Sequence, residues 1–358
     1  MRVLAVNTGS SSVKLRLLGV DDAVLGEHET DAPGTEVDAE ALTRAIGELG
    51  DADVVAHRIV HGGERGEAAR VDDALLAELR ALTPLAPLHQ PKALAAIDAV
   101  GRARPRLPAV ACFDTAFHVH LPPEAATYAL PAEWRSRFGL RRSGFHGLSH
   151  SYLARRAREL LGLHDGARIV SCHLGAGASL AAVRDGISVD TTMGFTPLEG
   201  IVMATRSGSV DPGLVLWLVR QGIAPEDLHD ALERRSGLLG LAGTDDMREL
   251  LERDDADARL ALGVYLHRLA AAIAAMASAM GGIDALAFTG GVGEHAPAVR
   301  SGAAERVAFL GVALDPGANA AAAGDTEITA TGARVRSAVV AAREDREMAR
   351  QARAVLGA

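Results

Sequence analysis

The hydrophobic positions of the chain form two kinds of pattern, short apolar runs and repeats of helical spacing, and together these predict an α/β protein. The apolar runs predict strands at 3–6, 13–17, 168–173, 179–183, 187–191, 284–289 and 334–340. The helical repeats predict helices at 72–82, 91–100, 151–161, 213–221, 247–253, 258–280, 296–309 and 345–356. The alanine- and glycine-rich segment 311–331 is expected to be a loop or a frayed helix. Strands that alternate with helices indicate an α/β architecture.

Glycine-rich turns follow three of the predicted strands. The turn after 3–6 leads into an alternating strand, and the turn at 174–178 does the same, so two similarly built domains are expected. The third turn, Gly-Gly-Val-Gly-Glu-His, follows the strand at 284–289. Closely spaced backbone N–H groups in such turns bind phosphates. Neither GxxxxGK[ST] nor GxGxxG is present, so the sequence predicts a nucleotide site of another type.

Composition narrows the class of protein. The 358 residues are 48% hydrophobic and carry a net charge of −9, which is unlike a disordered chain or a nucleic-acid-binding protein. The two cysteines are expected to be reduced core residues. The apolar stretch 269–283 is too short to span a bilayer and predicts a buried helix. We therefore expect a cytoplasmic protein without nucleic-acid or membrane partners.

Several longer motifs resemble those of the acetate kinases, in the order that this family has them. They are NTGSSSVK from Asn7, HRIVHGGE from His57, LAPLH from Leu85, FDTAFH from Phe113, GFHGLSH from Gly144, the block from His173 to Pro212 and FTGGVGE from Phe288. The resemblance implies two actin-like, ribonuclease-H-like domains that close over a nucleotide cleft. We predict a first domain of 1–116 plus 346–358 and a second domain of 117–345, with a homodimer interface in the second.

The same resemblance implies reversible phosphoryl transfer from ATP to acetate, giving ADP and acetyl phosphate, with Mg²⁺ or Mn²⁺ as cofactor. By position, the residues that match the catalytic set of the family are Arg58, Asp114, His146 and Arg206. Those that match the substrate pocket are Arg58, Val60, Leu88 and Pro197, and those that match the metal site are Asn7 and Glu344. The matches to the ATP site are Ser10, Ser12, Lys14, His173, Leu174, Gly175, Ala176, Gly177, Asp246, Met247, Arg248, Gly291, Val292, Gly293, Glu294 and His295.

These residue types suit the implied chemistry. A carboxylate acceptor is already ionised at neutral pH, so the reaction needs no strong general base. Arginines and a divalent cation offset the repulsion between the carboxylate and the triphosphate, and they stabilise the transferring group. Asp114 is therefore expected to hold a metal-bound water or to orient Arg58, and His146 to donate to a phosphoryl oxygen.

The chain departs from the family at positions where the family has asparagine. Ala176, His295, Arg343 and Gln90 occupy these positions, and Ala176 removes a donor from the second glycine-rich turn. The chain is also shorter than usual between Lys14 and Arg58. These changes bear on nucleotide affinity and on substrate preference more than on the class of reaction.

Three other interpretations remain open from the sequence. A kinase of propionate or of another short carboxylate would use the same residues, since one methylene changes discrimination by only about 1–3 kcal/mol. A nucleotide-switch protein of the actin or chaperone type would share the fold without the reaction. The pairs His57/His61 and His146/His150 have zinc-ligand spacing, although no third ligand is evident nearby.

Overall fold

The chain divides into two units, each built on its own six-stranded sheet. The computed structural model describes residues 1–9, 12–31, 38–87 and 89–357. Unit 1 comprises Met1–Val119, Phe145–Tyr152 and Arg343–Ala358, and unit 2 comprises His120–Gly144 and Leu153–Ala342. Unit 1 thus includes a short segment, Phe145–Tyr152, that lies within the second domain as the sequence predicted it.

The elements of each unit are best given together. The strands of the first sheet are β1 (Val3–Thr8), β2 (Ser12–Leu18), β3 (Val24–Asp31), β4 (Val54–Ile59), β5 (Ala69–Arg70) and β6 (Ala109–Phe113). Those of the second are β7 (Arg168–Leu174), β8 (Ala178–Arg184), β9 (Ile187–Thr191), β10 (Ala285–Thr289), β11 (Thr326–Glu327) and β12 (Arg336–Val339). The helices are α1 (Ala39–Leu49), α2 (Asp73–Ala81), α3 (Gln90–Ala103), α4 (Pro123–Ala126), α5 (Ala132–Phe138), α6 (Gly147–Leu161), α7 (Pro212–Arg220), α8 (Pro225–Arg234), α9 (Gly237–Ala242), α10 (Met247–Glu252), α11 (Ala256–Ala279), α12 (Gly290–His295), α13 (Pro297–Arg306), α14 (Pro316–Ala321) and α15 (Glu344–Leu356).

The two sheets share one topology. The strand order is β3-β2-β1-β4-β6-β5 in the first sheet and β9-β8-β7-β10-β12-β11 in the second. In each sheet three central strands run parallel, β1, β4 and β6 or β7, β10 and β12, and antiparallel neighbours flank them. The repeated strand–glycine turn–strand pattern therefore does correspond to two similarly built domains.

Each face of the first sheet is covered by helices. One face packs Leu4, Val6 and Val55 against α1 and α3. The opposite face packs Val3, Ala5, Val54, Ala56 and Cys112 against α15. Because side chains alternate along a strand, the next residues on this second face are Asn7, Arg58 and Asp114. These positions lie at the carboxyl ends of the parallel strands, where open α/β sheets bind their ligands.

Three local predictions differ from the structure. The turn Gly-Gly-Val-Gly-Glu-His folds as the short helix α12, which follows β10 directly. The segment 311–331 contains α14 and the short strand β11. The sequence pattern also missed several elements, among them β3 and α1, which cover polar or mixed stretches with weak periodicity, and the short apolar strands β4 and β6.

The long helix α11 is apolar for reasons of packing. Of the helices that the structure describes, it is the one with the length and composition to cross a membrane, a weak indication that core helices share. Its residues Ala261, Tyr265, Leu269 and Ile273 are buried, and the helix packs against β7, β8 and β9. The predicted buried helix is therefore present.

Candidate active site

Arg58 and Asp114 form a bidentate ion pair at the ends of β4 and β6. The Arg58 Nε atom donates to both carboxylate oxygens of Asp114 at 3.1 Å, and Nη2 donates to Oδ2 at 2.6 Å. The side chain of Asp114 is 1% exposed and that of Arg58 is 13% exposed. Planar, paired hydrogen bonds of this kind fix the orientation of the guanidinium as well as its charge.

Asn7 and Glu344 extend this cluster to the ends of β1 and α15. The Asn7 Nδ2 atom donates to Glu344 Oε2 at 2.7 Å. The Arg58 Nη1 atom lies 3.1 Å from Asn7 Oδ1 and 3.2 Å from Glu344 Oε2. Glu344 is the first residue of α15, where the helix dipole stabilises a carboxylate. Four residues from four elements, separated by up to 337 positions in sequence, therefore meet at one edge of the first sheet.

Burial makes the charges of this cluster depend on one another. Burial raises the pKa of Asp114, and the Arg58 guanidinium acts in the opposite direction. Burial also lowers the affinity of Arg58 for its proton, but Asp114 and Glu344 outweigh it, so that the pKa of Arg58 is raised. Removing either partner of such a pair leaves an uncompensated charge away from water.

His146 is tied to Asp114 through the backbone. Its backbone N–H bonds to the Asp114 carboxylate, and the Gly147 N–H donates to the Asp114 carbonyl at 2.9 Å. His146 has φ 55°, a left-handed conformation that non-glycine residues rarely adopt and that often marks a functional site. A Cβ on Gly147 would overlap the Asp114 carbonyl oxygen, so glycine is required at that position. The structure thus places side by side Asp114 and His146, which the sequence analysis assigned to one catalytic set.

The other predicted residues of unit 1 are less concentrated. Ser12 and Lys14 lie on β2 and contact Glu29, with distances of 3.0 Å from Ser12 Oγ and 3.1 Å from Lys14 Nζ. Val60 is buried directly after β4. Ser10 and Leu88 lie outside the described residues.

The glycine-rich turns of unit 2 line a cavity of about 460 Å³. This volume is within the usual range for small-molecule sites. The predicted ATP-site residues that line it are Gly175, Ala176, Asp246, Met247, Arg248, Gly291, Val292 and His295. Ala204, Leu238, Leu251 and Tyr265 add apolar surface. Three segments that are far apart in the sequence therefore converge on one cavity.

Close backbone packing holds two of these turns together. His173 and Leu174 end β7, and the N–H of Gly175 donates to the Gly177 carbonyl at 3.1 Å. Gly290, with φ 82°, packs so closely on the Leu174 carbonyl that a Cβ would approach it to 2.7 Å. The helix that follows includes Gly293, which is buried.

Two predicted ATP-site carboxylates bind other groups of the protein. Glu294 Oε1 accepts from the N–H groups of Gly290 and Ala342, at 3.1 and 3.0 Å. Asp246 caps α10 by accepting from the Arg248 N–H, and its carboxylate pairs with the Arg248 guanidinium at 2.7 Å. Both arrangements fix backbone around the cavity.

Arg206 is held by a carboxylate that the sequence analysis did not find. Its Nε atom pairs with Glu233 Oε2 at 3.0 Å, and its Nη1 atom lies 3.5 Å from the Pro197 carbonyl oxygen. Glu233 lies on α8, 27 residues from Arg206 in sequence, so no local spacing indicates the pair. Gly237 permits the close approach, since a Cβ there would meet the Arg206 carbonyl oxygen at 2.8 Å.

The histidine pairs show no arrangement for zinc. His57 faces the interior, neither ring nitrogen has a hydrogen-bond partner, and burial lowers its pKa to about 3. The Nδ1 atom of His61 accepts from the Gly63 N–H. Within the residues that the structure describes, no group of three or more His, Cys, Asp or Glu side chains is placed to hold a metal ion.

Comparisons with known proteins agree with this picture. The family model described as the Acetokinase family matches residues 21–350. The chain belongs to this family. An acetate kinase of Gloeobacter violaceus is 48% identical over 318 residues, covering 86% of this chain and 78% of that protein.

Two solved structures of the family share the fold across the whole chain. The acetate kinase of Porphyromonas gingivalis has a TM-score of 0.90 at 34% identity and covers 99% of both chains. A propionate kinase of Francisella tularensis has a TM-score of 0.90 at 32% identity and covers 98% of both. The predicted family, the fold class and the enzyme class, an acetate kinase, are therefore confirmed.

Proposed function

We propose that this chain transfers the terminal phosphoryl group of ATP to acetate, reversibly, through the cluster at the edge of the first sheet. The observation that carries the proposal is the convergence of Asn7, Arg58, Asp114 and Glu344 on one face of unit 1. A carboxylate acceptor needs charge neutralisation and positioning rather than proton abstraction. A fixed guanidinium surrounded by acidic and amide groups provides both.

Arg58 is the residue that binds the transferring phosphoryl group in this proposal. Asp114 accepts hydrogen bonds from two of the three guanidinium nitrogens of Arg58. This favours a role in orienting Arg58 over a role in holding a metal-bound water. His146 donates to a phosphoryl oxygen from its strained position beside Asp114. Arg206 binds the acceptor carboxylate, and the role in binding the methyl group falls, as the family resemblance implies, to the apolar residues Val60, Leu88 and Pro197.

The metal ligands are Asn7 and Glu344, and they fit Mg²⁺. Carboxylate and amide oxygens are hard donors, and Mg²⁺ takes one or two protein ligands together with waters and substrate phosphates. Mn²⁺ accepts the same donors. When bound, the cation neutralises charge on the phosphates. Asn7 and Glu344 orient each other through the 2.7 Å hydrogen bond between their side chains.

The nucleotide is bound in the cavity of unit 2. Its apolar lining suits a purine base, and the turns at Gly175–Gly177 and Gly291–Gly293 offer N–H groups to phosphates. The family resemblance also assigns Ser10, Ser12 and Lys14 to the phosphates. We propose a cytoplasmic location, since both cysteines are buried and unpaired, as expected in a reducing compartment.

Purified protein with ATP, a divalent cation and a series of carboxylates tests the proposal. We expect hydroxylamine to trap an acyl phosphate with acetate, and Mg²⁺ to support more turnover than Ca²⁺. A higher kcat/KM for propionate would support the alternative, for which the Francisella tularensis structure is a precedent. ATP binding without carboxylate-dependent ADP formation would contradict both and favour a nucleotide-switch protein.

Replacing Ala176 with asparagine is expected to tighten nucleotide binding about tenfold. Ala176 lines the cavity, and a donor to a charged oxygen contributes about 1.5–3 kcal/mol, of which 1.4 kcal/mol is a factor of ten. Titration calorimetry with a non-hydrolysable ATP analogue and Mg²⁺ measures the change, and the acetate KM should stay the same. Ala323→Asn, at an exposed position of unit 2, is the control. If Ala176→Asn is neutral while His295→Asn weakens binding, His295 already supplies the contact.

We also propose that the protein is a homodimer formed through α7 of unit 2. No residue of this helix is buried, and Leu214, Leu216, Trp217 and Val219 are all exposed. A contiguous apolar surface of this kind marks an interaction site. In a two-fold dimer the same surface of each protomer meets its counterpart, so α7 would pack against α7 of a second copy of the chain.

Trp217→Arg is expected to convert the dimer into a monomer of 37.2 kDa. A charged group in the centre of an apolar contact cannot be paired there and opposes association. Light scattering after size-exclusion chromatography measures the mass, and circular dichroism checks the fold. Trp134→Arg, at an exposed tryptophan of α5, is the matched control and should leave the mass unchanged. A dimer that persists in Trp217→Arg would place the interface elsewhere.

A further inference from the structure

We propose that Glu199, held by Tyr128 and Arg142, is a positioning residue that fixes the loop at 192–200 and thereby sets the preference for acetate over longer carboxylates. We refer to these three residues as the Glu199 cluster. The inference rests on the proposed function, in which Pro197 of this loop encloses the acceptor. It concerns residues outside the catalytic and substrate-binding residues proposed above.

The Glu199 carboxylate is bound on both of its oxygens. The Tyr128 hydroxyl donates to Oε2 at 2.5 Å, and Arg142 Nη2 donates to Oε1 at 2.9 Å. The Arg142 guanidinium also lies 5.6 Å from the centre of the Tyr128 ring. Hydrogen bonds to an ionised acceptor are about twice as strong as neutral ones, so this carboxylate has one preferred position.

Tyr128 and Arg142 also bind the backbone of the same loop. The Phe195 N–H donates to the Tyr128 hydroxyl at 2.8 Å. Arg142 Nη1 donates to the carbonyl oxygens of Thr192 and Met193, each at 3.1 Å. The loop is thus held at its start and its middle by the same two side chains that hold Glu199 near its end.

Backbone contacts from the segment that contains Arg142 complete this attachment. The N–H groups of Ser143 and Gly144 donate to the Gly194 carbonyl oxygen at 3.0 and 3.2 Å. A Cβ on Gly194 would overlap both the Glu199 carboxylate and the Tyr128 hydroxyl. Glycine at position 194 is therefore needed for the loop to pack directly against these two side chains.

The loop carries the groups that the proposed reaction uses on the acceptor side. Pro197 lies between Phe195, which Tyr128 binds, and Glu199 itself. Its carbonyl oxygen is 3.5 Å from Nη1 of Arg206. A displacement of the loop therefore moves both the Pro197 side chain and the contact between its carbonyl oxygen and Arg206. A misplacement of about 1 Å in an active site can reduce a reaction rate about a hundredfold.

The Tyr128 hydroxyl keeps its proton at neutral pH. Burial raises the pKa of Tyr128, and the neighbouring Glu199 adds to this effect. The phenol therefore stays protonated and remains a donor to Glu199 at neutral pH.

Tyr128→Phe and Glu199→Gln test the inference in the full-length protein. We expect either change to raise the acetate KM by about tenfold, the effect of one lost hydrogen bond to a charged group, while the ATP KM changes less than about twofold. The ratio of kcat/KM for acetate to that for propionate should fall by at least about threefold, because a loosened wall admits the extra methylene. A merely structural role would not change this ratio.

Arg168→Lys is the matched control. Arg168 forms another bidentate pair, with Asp284, in unit 2, at the end of β7 opposite to the turn that lines the nucleotide cavity. It should lower thermal stability without changing the acetate-to-propionate ratio. Arg142→Lys provides a graded variant, since lysine keeps the charge and loses the fork that binds three acceptors.

The outcomes separate the inference from the proposed function. A wild-type protein that phosphorylates no carboxylate would overturn the proposed function. An active wild type whose Tyr128→Phe and Glu199→Gln variants keep the acetate-to-propionate ratio would overturn the inference alone. Parallel changes in the KM values of acetate and ATP, or loss of the fold in both variants, would show that the cluster is only structural and would overturn it as well.

Discussion

Arg58→Lys is expected to lower kcat by about 10²–10³-fold, the loss seen when one donor to a developing charge is removed. The guanidinium binds Asp114 with two nitrogens and reaches Asn7 and Glu344 with the third. A lysine ammonium keeps the charge but cannot bind these groups in one plane. The ATP KM should change little, because the nucleotide cavity belongs to unit 2.

Stopped-time assays of acyl phosphate formation measure kcat, and thermal unfolding measures the accompanying loss of stability. Arg65→Lys is the matched control, since Arg65 forms an exposed pair with Glu78 in the same unit. Exposed pairs contribute about 0–1 kcal/mol, so this variant should resemble the wild type. A kcat near that of the wild type in Arg58→Lys would remove Arg58 from the catalytic residues.

Asp114→Asn is expected to reduce kcat much more than it raises the acetate KM. The change removes the buried counter-charge that orients the Arg58 guanidinium. Because Arg58 stabilises the phosphoryl group mainly in the transition state, the loss of this orientation lowers kcat more than it affects acetate binding. Breaking a buried ion pair also costs up to about 3–5 kcal/mol of the free energy of unfolding. Asp98→Asn, which breaks the exposed pair with Arg80, should change neither quantity.

The double variant Arg58→Lys/Asp114→Asn shows whether the pair acts as a unit. If Asp114 works by orienting Arg58, the double variant should lose no more activity than the more affected single variant, since residues in direct contact are not additive. Additive losses would indicate that Asp114 has a separate role, such as holding a metal-bound water. An increase in the acetate KM alone, with kcat unchanged, would make Asp114 a binding residue.

Lysine and asparagine are rare in this chain, which has only two of each. Lys92 is fully buried on α3, and its Nζ atom donates to the carbonyl oxygen of Gly9, within the glycine-rich turn after β1, at 2.9 Å. Asn319 accepts from the buried Arg300, which also binds the carbonyl oxygens of Gly293 and Glu294 beside the nucleotide cavity. Both residues have structural roles that arginine or alanine would not perform.

The sequence by itself determined the α/β class and the two similarly built domains, and its resemblance to the acetate kinases selected Asn7, Arg58 and Asp114. The structure added β4 and β6, which the sequence analysis did not predict, and alternation along β1, β4 and β6 places these three residues on one face, because a strand has a side-chain period of two and the core fixes which face is buried. The glycine-rich turns were recognisable for a similar local reason, since their residues are adjacent in the chain.

Only the tertiary structure decided which distant groups hold these side chains. Glu233 binds Arg206 across 27 positions, and Glu199 receives Tyr128 and Arg142 across 71 and 57 positions. No periodicity links such residues, because the contact depends on how the intervening elements pack. The same holds for α12, where the position after a buried strand converted an apparent glycine loop into a helix. The local sequence therefore determined which side chains are available for the site. Long-range packing determined which partners hold those side chains and in which orientation.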